Sequence, residues 1–187
     1  MQNLISYFQI EELNIILAVT GLVVTILTML TAKIQIKTRQ REYYLLSIIF
    51  MISFLVVIFI KSWLIFIIAW ETVTISTALM LLWKNRGLTG QYLIIQFLGS
   101  SILICFILLA YKNGYHQIMP INEIWLQNLF IIGLGMKSAI FGLHFWLPAV
   151  HSQAPAPVSA ILSGWVVKLG YITYLRIILE GNLFLLI

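Results

Sequence analysis

Lys137 and Glu71 are the residues best suited to chemistry, because each places a titratable group inside a segment apolar enough to enter a bilayer. Lys137 lies in Phe130-Ile-Ile-Gly-Leu-Gly-Met-Lys-Ser-Ala-Ile-Phe-Gly-Leu-His-Phe-Trp-Leu-Pro148, and Glu71 in Trp63-Leu-Ile-Phe-Ile-Ile-Ala-Trp-Glu-Thr-Val-Thr-Ile-Ser-Thr-Ala-Leu-Met-Leu-Leu-Trp83. A charge near the centre of hydrocarbon costs roughly 2.5–3.5 kcal/mol on insertion scales, so such groups must face protein or a water-filled cavity. Lys168 is a third charge of this kind. One buried acid and two buried amines on separate spans predict a proton path. Burial favours the neutral amine, whereas a neighbouring carboxylate favours the charged one. The two effects oppose each other, so moving or neutralising Glu71 would release the proton of Lys137. The plainer alternative is a static pair that staples helices. Buried polar contacts in membranes average roughly 0.6 kcal/mol, too little to offset three charges, which favours the chemical reading.

Two histidines extend the candidate path. His144 lies seven residues after Lys137, two turns on and on nearly the same face. His151 follows, where Leu147-Pro148 interrupts a helix and Ala154-Pro155-Ala156-Pro157 restarts one. Histidine titrates near neutral pH and can relay a proton; the plainer role for both rings is to cap broken helix ends. Proline cannot continue a helix interior, so the backbone here is expected to be irregular. Irregular backbone at membrane depth is tolerated only against protein or water. The expected break therefore falls between Lys137 and Pro148. Gly133, Gly135 and Gly142 would let neighbouring helices approach closely.

The elements that must hold these groups follow from composition. Hydrophobic residues make up 61% and charged residues 9% of the chain, with a mean hydropathy of +1.03. Soluble domains carry about 25% charged residues, so an all-α, polytopic membrane protein is predicted. Six stretches reach the length that a spanning helix needs, at about 13–32, 43–60, 63–83, 91–111, 124–147 and 156–179, the fifth being the broken one. The links are short, so residues 1–187 are expected to form a single membrane domain. The first span lacks the basic leader and small-residue cleavage site of a signal peptide, since Glu11 and Glu12 precede it.

The net charge of +5 is distributed unlike that of a nucleic-acid binder. Lys33, Lys37, Arg39 and Arg41 follow the first span, and Lys84 and Arg86 follow the third; Lys61, Lys112, Glu123 and the Glu11–Glu12 pair fall on the opposite side. This asymmetry predicts the N-terminus outside, with the first and third links inside. The basic cluster Lys33–Arg41 would attract anionic lipid headgroups such as those of cardiolipin. Cys105 is the lone cysteine, and no ligand set for a metal, flavin, haem or iron–sulfur cluster is present, so no bound cofactor is expected. The loop Lys112–Asn122 holds His116, read as solvated; neither it nor the Gly87–Gly90 turn carries a phosphate-cradling or nucleophile motif.

Taken together, Trp70-Glu71, Gln91-Tyr-Leu-Ile-Ile-Gln-Phe-Leu-Gly-Ser-Ser-Ile-Leu, Met136-Lys-Ser, His144-Phe-Trp-Leu-Pro, Ala154-Pro-Ala-Pro-Val-Ser-Ala and Lys168-Leu-Gly-Tyr resemble the antiporter-like membrane subunits of respiratory complex I. These are NADH-ubiquinone oxidoreductase chains 2, 4 and 5, similar also to large subunits of multi-subunit sodium/proton antiporters and membrane-bound hydrogenases. The resemblance implies that Glu71 and Lys137 stand where that family has the ion pair of a proton half-channel. Lys168 stands where it has the lysine relaying toward the second half-channel. It further implies a proton-translocating subunit of NADH:ubiquinone reductase with no redox centre of its own, embedded among other membrane-arm subunits. The expected location is the mitochondrial inner membrane, N-terminus on the intermembrane side, with a bacterial inner membrane as the alternative.

Two departures matter. The family's core is a pair of inverted helical repeats, and this chain matches the first, so a companion chain is expected to supply the second. Gln91 stands where many members have a lysine, which puts any relay step through that lysine in doubt. His151-Ser-Gln-Ala-Pro and the Lys168–Arg176 run resemble chain 4. The Ala-Pro-Ala-Pro-Val-Ser string and short leading segment resemble chain 2, and the balance leans to a split chain 2.

Overall fold

The computed structural model describes residues 12–140 and 142–179, and every regular element among them is helical. Glu11, half of the acidic pair noted above, lies outside the described residues. Four long helices come first: α1 (Glu12–Gln35), α2 (Gln40–Phe59), α3 (Trp63–Leu82) and α4 (Arg86–Lys112). The first three are apolar runs closed by short links, and α4 is followed by a longer loop in which Ile118 and Ile121 are buried. Glu12 in the first turn of α1 and Lys33 in its last complement the helix dipole. Asn85 caps α4, its side-chain oxygen accepting from the Leu88 amide at 3.2 Å. That residue's amide nitrogen also donates to Gln153 at 2.7 Å, tying this link to the distant break.

Among the described residues, five helical stretches are long and apolar enough to cross a membrane. The expected span 124–147 is the exception. There α5 (Ile124–Ser138) runs for 15 residues and stops one residue after Lys137. At about 1.5 Å per residue that is about 22 Å, short of the roughly 30 Å hydrocarbon core. Ala139 adopts a left-handed conformation with φ 55°, and Gly142 follows at φ 91°. The expected break between Lys137 and Pro148 is therefore present, and it begins at once. His144 accordingly does not continue the face of Lys137, because the helix that would have carried both ends at Ser138. Gly142 likewise belongs to the break and not to a helix.

A short helix α6 (Leu147–Gln153) carries Pro148 in its first turn, where a missing N–H costs nothing. The last span is composite: α7 (Ala156–Ile161), a π-helical turn at Leu162–Val166, α8 (Val167–Tyr174) and a second π-helical turn at Leu175–Leu179. In space α4 packs most extensively against α5, and α2 against α3, while α8 lies on both α5 and α2. The α4–α5 approach is close because glycines meet: a Cβ on Gly99 would come 3.0 Å from the Gly133 carbonyl. Aromatic rings fill the centre, with Trp63 edge-on to Phe106 at 5.2 Å and Phe106 against Phe130 at 4.9 Å. Leucines and isoleucines such as Ile34, Ile94 and Leu108 point outward, the inverse of a soluble bundle and suited to lipid.

Candidate functional site

Lys137 is fully buried, at 0% exposure, and its ammonium reaches groups from two other helices. It lies 2.8 Å from Glu71 Oε1 on α3, and donates to Ser100 Oγ on α4 at 2.7 Å and to Thr74 Oγ1 on α3 at 3.3 Å. Ser100 closes the triangle by donating to Glu71 Oε1 at 2.5 Å. The site thus holds an amine, a carboxylate and hydroxyls in mutual contact, an arrangement in which a proton shift needs only small rotations. Glu71 keeps 24% side-chain exposure, so the pair has one sealed partner and one with access to its surroundings. Glu71 Oε2 and Gln96 Oε1 are buried acceptors without partners among the described residues.

The helix end beneath Lys137 is built by side chains from elsewhere. A helix stopping inside the protein leaves its last carbonyls unpaired. The Gln96 amide donates to the Lys137 carbonyl at 3.2 Å, and the Trp146 indole donates to the Met136 carbonyl at 2.9 Å. Trp146 comes from the break itself and stacks edge-on with Tyr92 at 5.4 Å. From the other side Gly170 of α8 lies directly on Ser138, so closely that any side chain there would overlap the serine. Gly99 does the same for the lysine stem, where a Cβ would fall 2.8 Å from Lys137 Cγ.

The remaining candidates sit apart. Nδ1 of half-buried His144 accepts from the Gly142 amide at 3.2 Å within the break. His151 Nδ1 and Ser159 Oγ are 2.5 Å apart, bridging α6 and α7. Lys168, expected as a buried amine, lies on an exposed face of α8 with its ammonium 5.6 Å above the Trp165 ring. The reason is register: Leu169, Gly170 and Thr173 take the packed face of α8, leaving Lys168 and Tyr171 outside.

Ser100, Thr74 and Gln96 were not singled out from the sequence, although a signal for them exists. Glu71, Thr74 and Thr77 recur every three residues on α3, and Tyr92, Gln96 and Ser100 every four on α4. Both spacings are polar stripes on otherwise apolar helices. Arg176 was also passed over: it is 5% exposed and donates to the carbonyls of Val57, Ile58 and Ile60 at 3.3, 3.1 and 2.8 Å.

The family comparison agrees with this architecture. The chain belongs to the transmembrane family described as NADH:quinone oxidoreductase/Mrp antiporter, whose model matches residues 60–182. It is 30% identical over 172 residues to NAD(P)H-quinone oxidoreductase chain 4-3 of Nostoc sp., covering 84% of this chain and 30% of the relative. It is also 30% identical over 158 residues to NADH-ubiquinone oxidoreductase chain 4 of Arbacia lixula, covering 75% of this chain and 35% of that one. The chain thus spans about a third of the length of these relatives. Both are chain 4 polypeptides, the other of the two members weighed above. Among solved structures, a chain of the archaeal membrane-bound sulfane sulfur reductase has the same fold with TM-score 0.76, at 19% identity, over 95% of this chain and 32% of its own. A chain of respiratory complex I from Thermus thermophilus superposes with TM-score 0.71, at 21% identity, over 86% and 40%.

Proposed function

We propose that the chain is a proton-translocating membrane-arm subunit of an NADH:quinone oxidoreductase, its half-channel centred on Glu71–Lys137. The observation that carries this reading is the fully buried ammonium of Lys137, held by a carboxylate and two hydroxyls that can all rotate. When Glu71 is engaged, the lysine keeps its proton. When Glu71 swings away or is neutralised, desolvation drives the proton onward. Lys168 is the next acceptor in this scheme, with His144, His151 and bound water between. Its exposed position supports a companion chain, supplying the second repeat, docked on that face of α8. Quinone reduction elsewhere in the complex drives the opening and closing of the pair. The proposed setting is the mitochondrial inner membrane with the N-terminus on the intermembrane side, or equally a bacterial inner membrane. No cofactor is proposed for this chain beyond anionic lipid at Lys33–Arg41.

A second reading, a multi-subunit sodium/proton antiporter or a membrane-bound hydrogenase, draws support from the family's inclusion of Mrp antiporters and from the sulfane sulfur reductase likeness. Dependence of transport on a sodium gradient rather than a proton gradient separates the two. A purely structural subunit is the third reading. Lys137→Met tests the first directly, removing the proton carrier while keeping much of the stem. In an assembled complex it is expected to abolish most proton pumping. Lys137→Arg should do nearly the same, because arginine holds its proton too tightly to release it. Undiminished pumping in both variants, with assembly verified, overturns the proposal.

A further inference from the structure

Beyond the pair itself, we infer that Tyr92, Thr77 and Thr74 form the intake for protons, connecting a cavity at the start of α4 to Lys137; this rests on the reading of Lys137 as a proton carrier. The cavity, about 230 Å³, is lined by Leu88, Gln91, Tyr92 and Ile95 of α4 and by Phe145, Trp146, Ala149 and Val150 of the break and α6. It lies at the end of α4 that follows Lys84 and Arg86, and so on the side of the basic links. Tyr92 is fully buried behind it, its ring held against Trp146, and its hydroxyl is 2.8 Å from Thr77 Oγ1.

The hydrogen bonds link these hydroxyls into a chain. The Thr77 hydroxyl lies 2.8 Å from that of Tyr92 and within reach of the carbonyls of Val73 and Thr74, at 3.0 and 2.9 Å, so its single rotatable proton can be offered to its own helix or to the tyrosine. Thr74 lies one turn along the same face of α3 and accepts from the Lys137 ammonium at 3.3 Å. All three hydroxyl residues are at most 1% exposed. A lone threonine in an apolar helix is explained by bonding to its own backbone. A tyrosine hydroxyl aimed at that threonine, behind a cavity and one turn from a buried amine, is not.

In the transfer each hydroxyl gives up one proton and gains one. A hydronium in the cavity protonates the Tyr92 oxygen and is left as water, as the tyrosine's own proton passes to Thr77. The Thr77 proton passes through one bridging water to Thr74, and that of Thr74 reaches Lys137 once the lysine has released its own. The unpartnered acceptors Glu71 Oε2 and Gln96 Oε1 show that the neighbourhood is polar enough to hold such water. Gln91, exposed at the rim of the cavity, then serves as the polar group at the mouth.

The test uses the assembled complex, reading quinone-driven proton pumping in proteoliposomes. Tyr92→Phe keeps the ring against Trp146 and removes only the hydroxyl; Thr77→Val keeps the shape and removes the other. Each is expected to slow pumping by about a hundredfold, the lower end of the range for losing a positioned proton-transfer group. Thr77→Ser should restore most of the rate. A structural role would instead leave Thr77→Ser as slow as Thr77→Val, and that result overturns the inference. So does full pumping by Tyr92→Phe while Lys137→Met is dead, an outcome that leaves the Glu71–Lys137 reading intact. Full pumping by Lys137→Met removes both. Should Thr77→Val fail to assemble, Tyr92→Phe decides alone, since its packing is unchanged.

Discussion

Lys137 and Arg176 are both cations buried within one array of helices, yet the molecule treats them in opposite ways. Lys137 meets a carboxylate and two hydroxyls, all on side chains with rotatable bonds. Among the partners of Arg176 are the carbonyls of Val57, Ile58 and Ile60, where α2 ends and the chain turns toward α3. Those carbonyls cannot leave without unwinding the helix. Guanidinium, permanently charged and forked, suits several fixed acceptors at a negative helix terminus; ammonium, a point charge that can lose its proton, suits a set of partners that changes. Buried charge alone therefore does not make a site labile. What distinguishes the two is whether the partners can move.

The largest effect is expected at the fixed site. Arg176→Met should destabilise the chain by about 3 kcal/mol, the scale of losing charge-assisted hydrogen bonds to buried carbonyls. Thermal unfolding in detergent would show it, and Arg176→Lys should recover only part because the fork is lost. If Arg176→Met leaves the melting point unchanged but stops pumping, the contrast drawn above is wrong. Gly170→Ala comes next, at about 2 kcal/mol from overpacking, since the added methyl falls on Ser138. It should displace the turn bearing Lys137 and slow pumping while leaving the Arg176 cap in place. Chemical denaturation paired with a pumping assay separates these effects.

Ser100→Ala is a smaller and more selective change. The 2.8 Å Lys137–Glu71 contact survives, but the bridging hydroxyl goes, about 1 kcal/mol of hydrogen bonding. Pumping should fall several-fold while stability drops only by about that small amount, measurable as proton flux per quinone reduced. The smallest effect lies outside the spans. The Glu123 carboxylate, 2.6 Å from the Tyr115 hydroxyl, holds that phenol above its ordinary value. A raised folded value means that the contact stabilises below the unfolded pKa of about 10 and is lost as pH rises through the folded value. Ultraviolet titration of the wild type against Glu123→Gln should show one tyrosinate, that of Tyr115, returning toward normal in the variant.

The spans were legible because length and apolarity alone demand helices in a bilayer, and the prolines at 148, 155 and 157 advertised a break. Its starting point was not legible. Nothing in Lys137-Ser138-Ala139 announces a left-handed alanine, a conformation usually given to glycine or asparagine, so the helix read on to His144. Glu71 and Lys137 stood out as charges in apolar segments, whereas their contact depends on how α3, α4 and α5 pack. The hydroxyls around them hid because serine and threonine can satisfy themselves within their own helix. Lys168 read as buried because its segment is apolar, but only register decides which face meets α5.

The paired carbonyls at Met136 and Lys137 have a consequence for anyone wishing to transplant this device. A designed bundle could copy the lysine, the glutamate and the serine at the right separations on straight rods and still miss its behaviour. Here the rod ends beside the buried amine, and its last carbonyls are held by Gln96 from a neighbour and Trp146 from the segment beyond. Those two fasteners come from different directions, so the segment bearing Trp146 and the helix bearing Gln96 together set where the last turn before the amine stands. A faithful graft would have to carry the frayed end along with the charges.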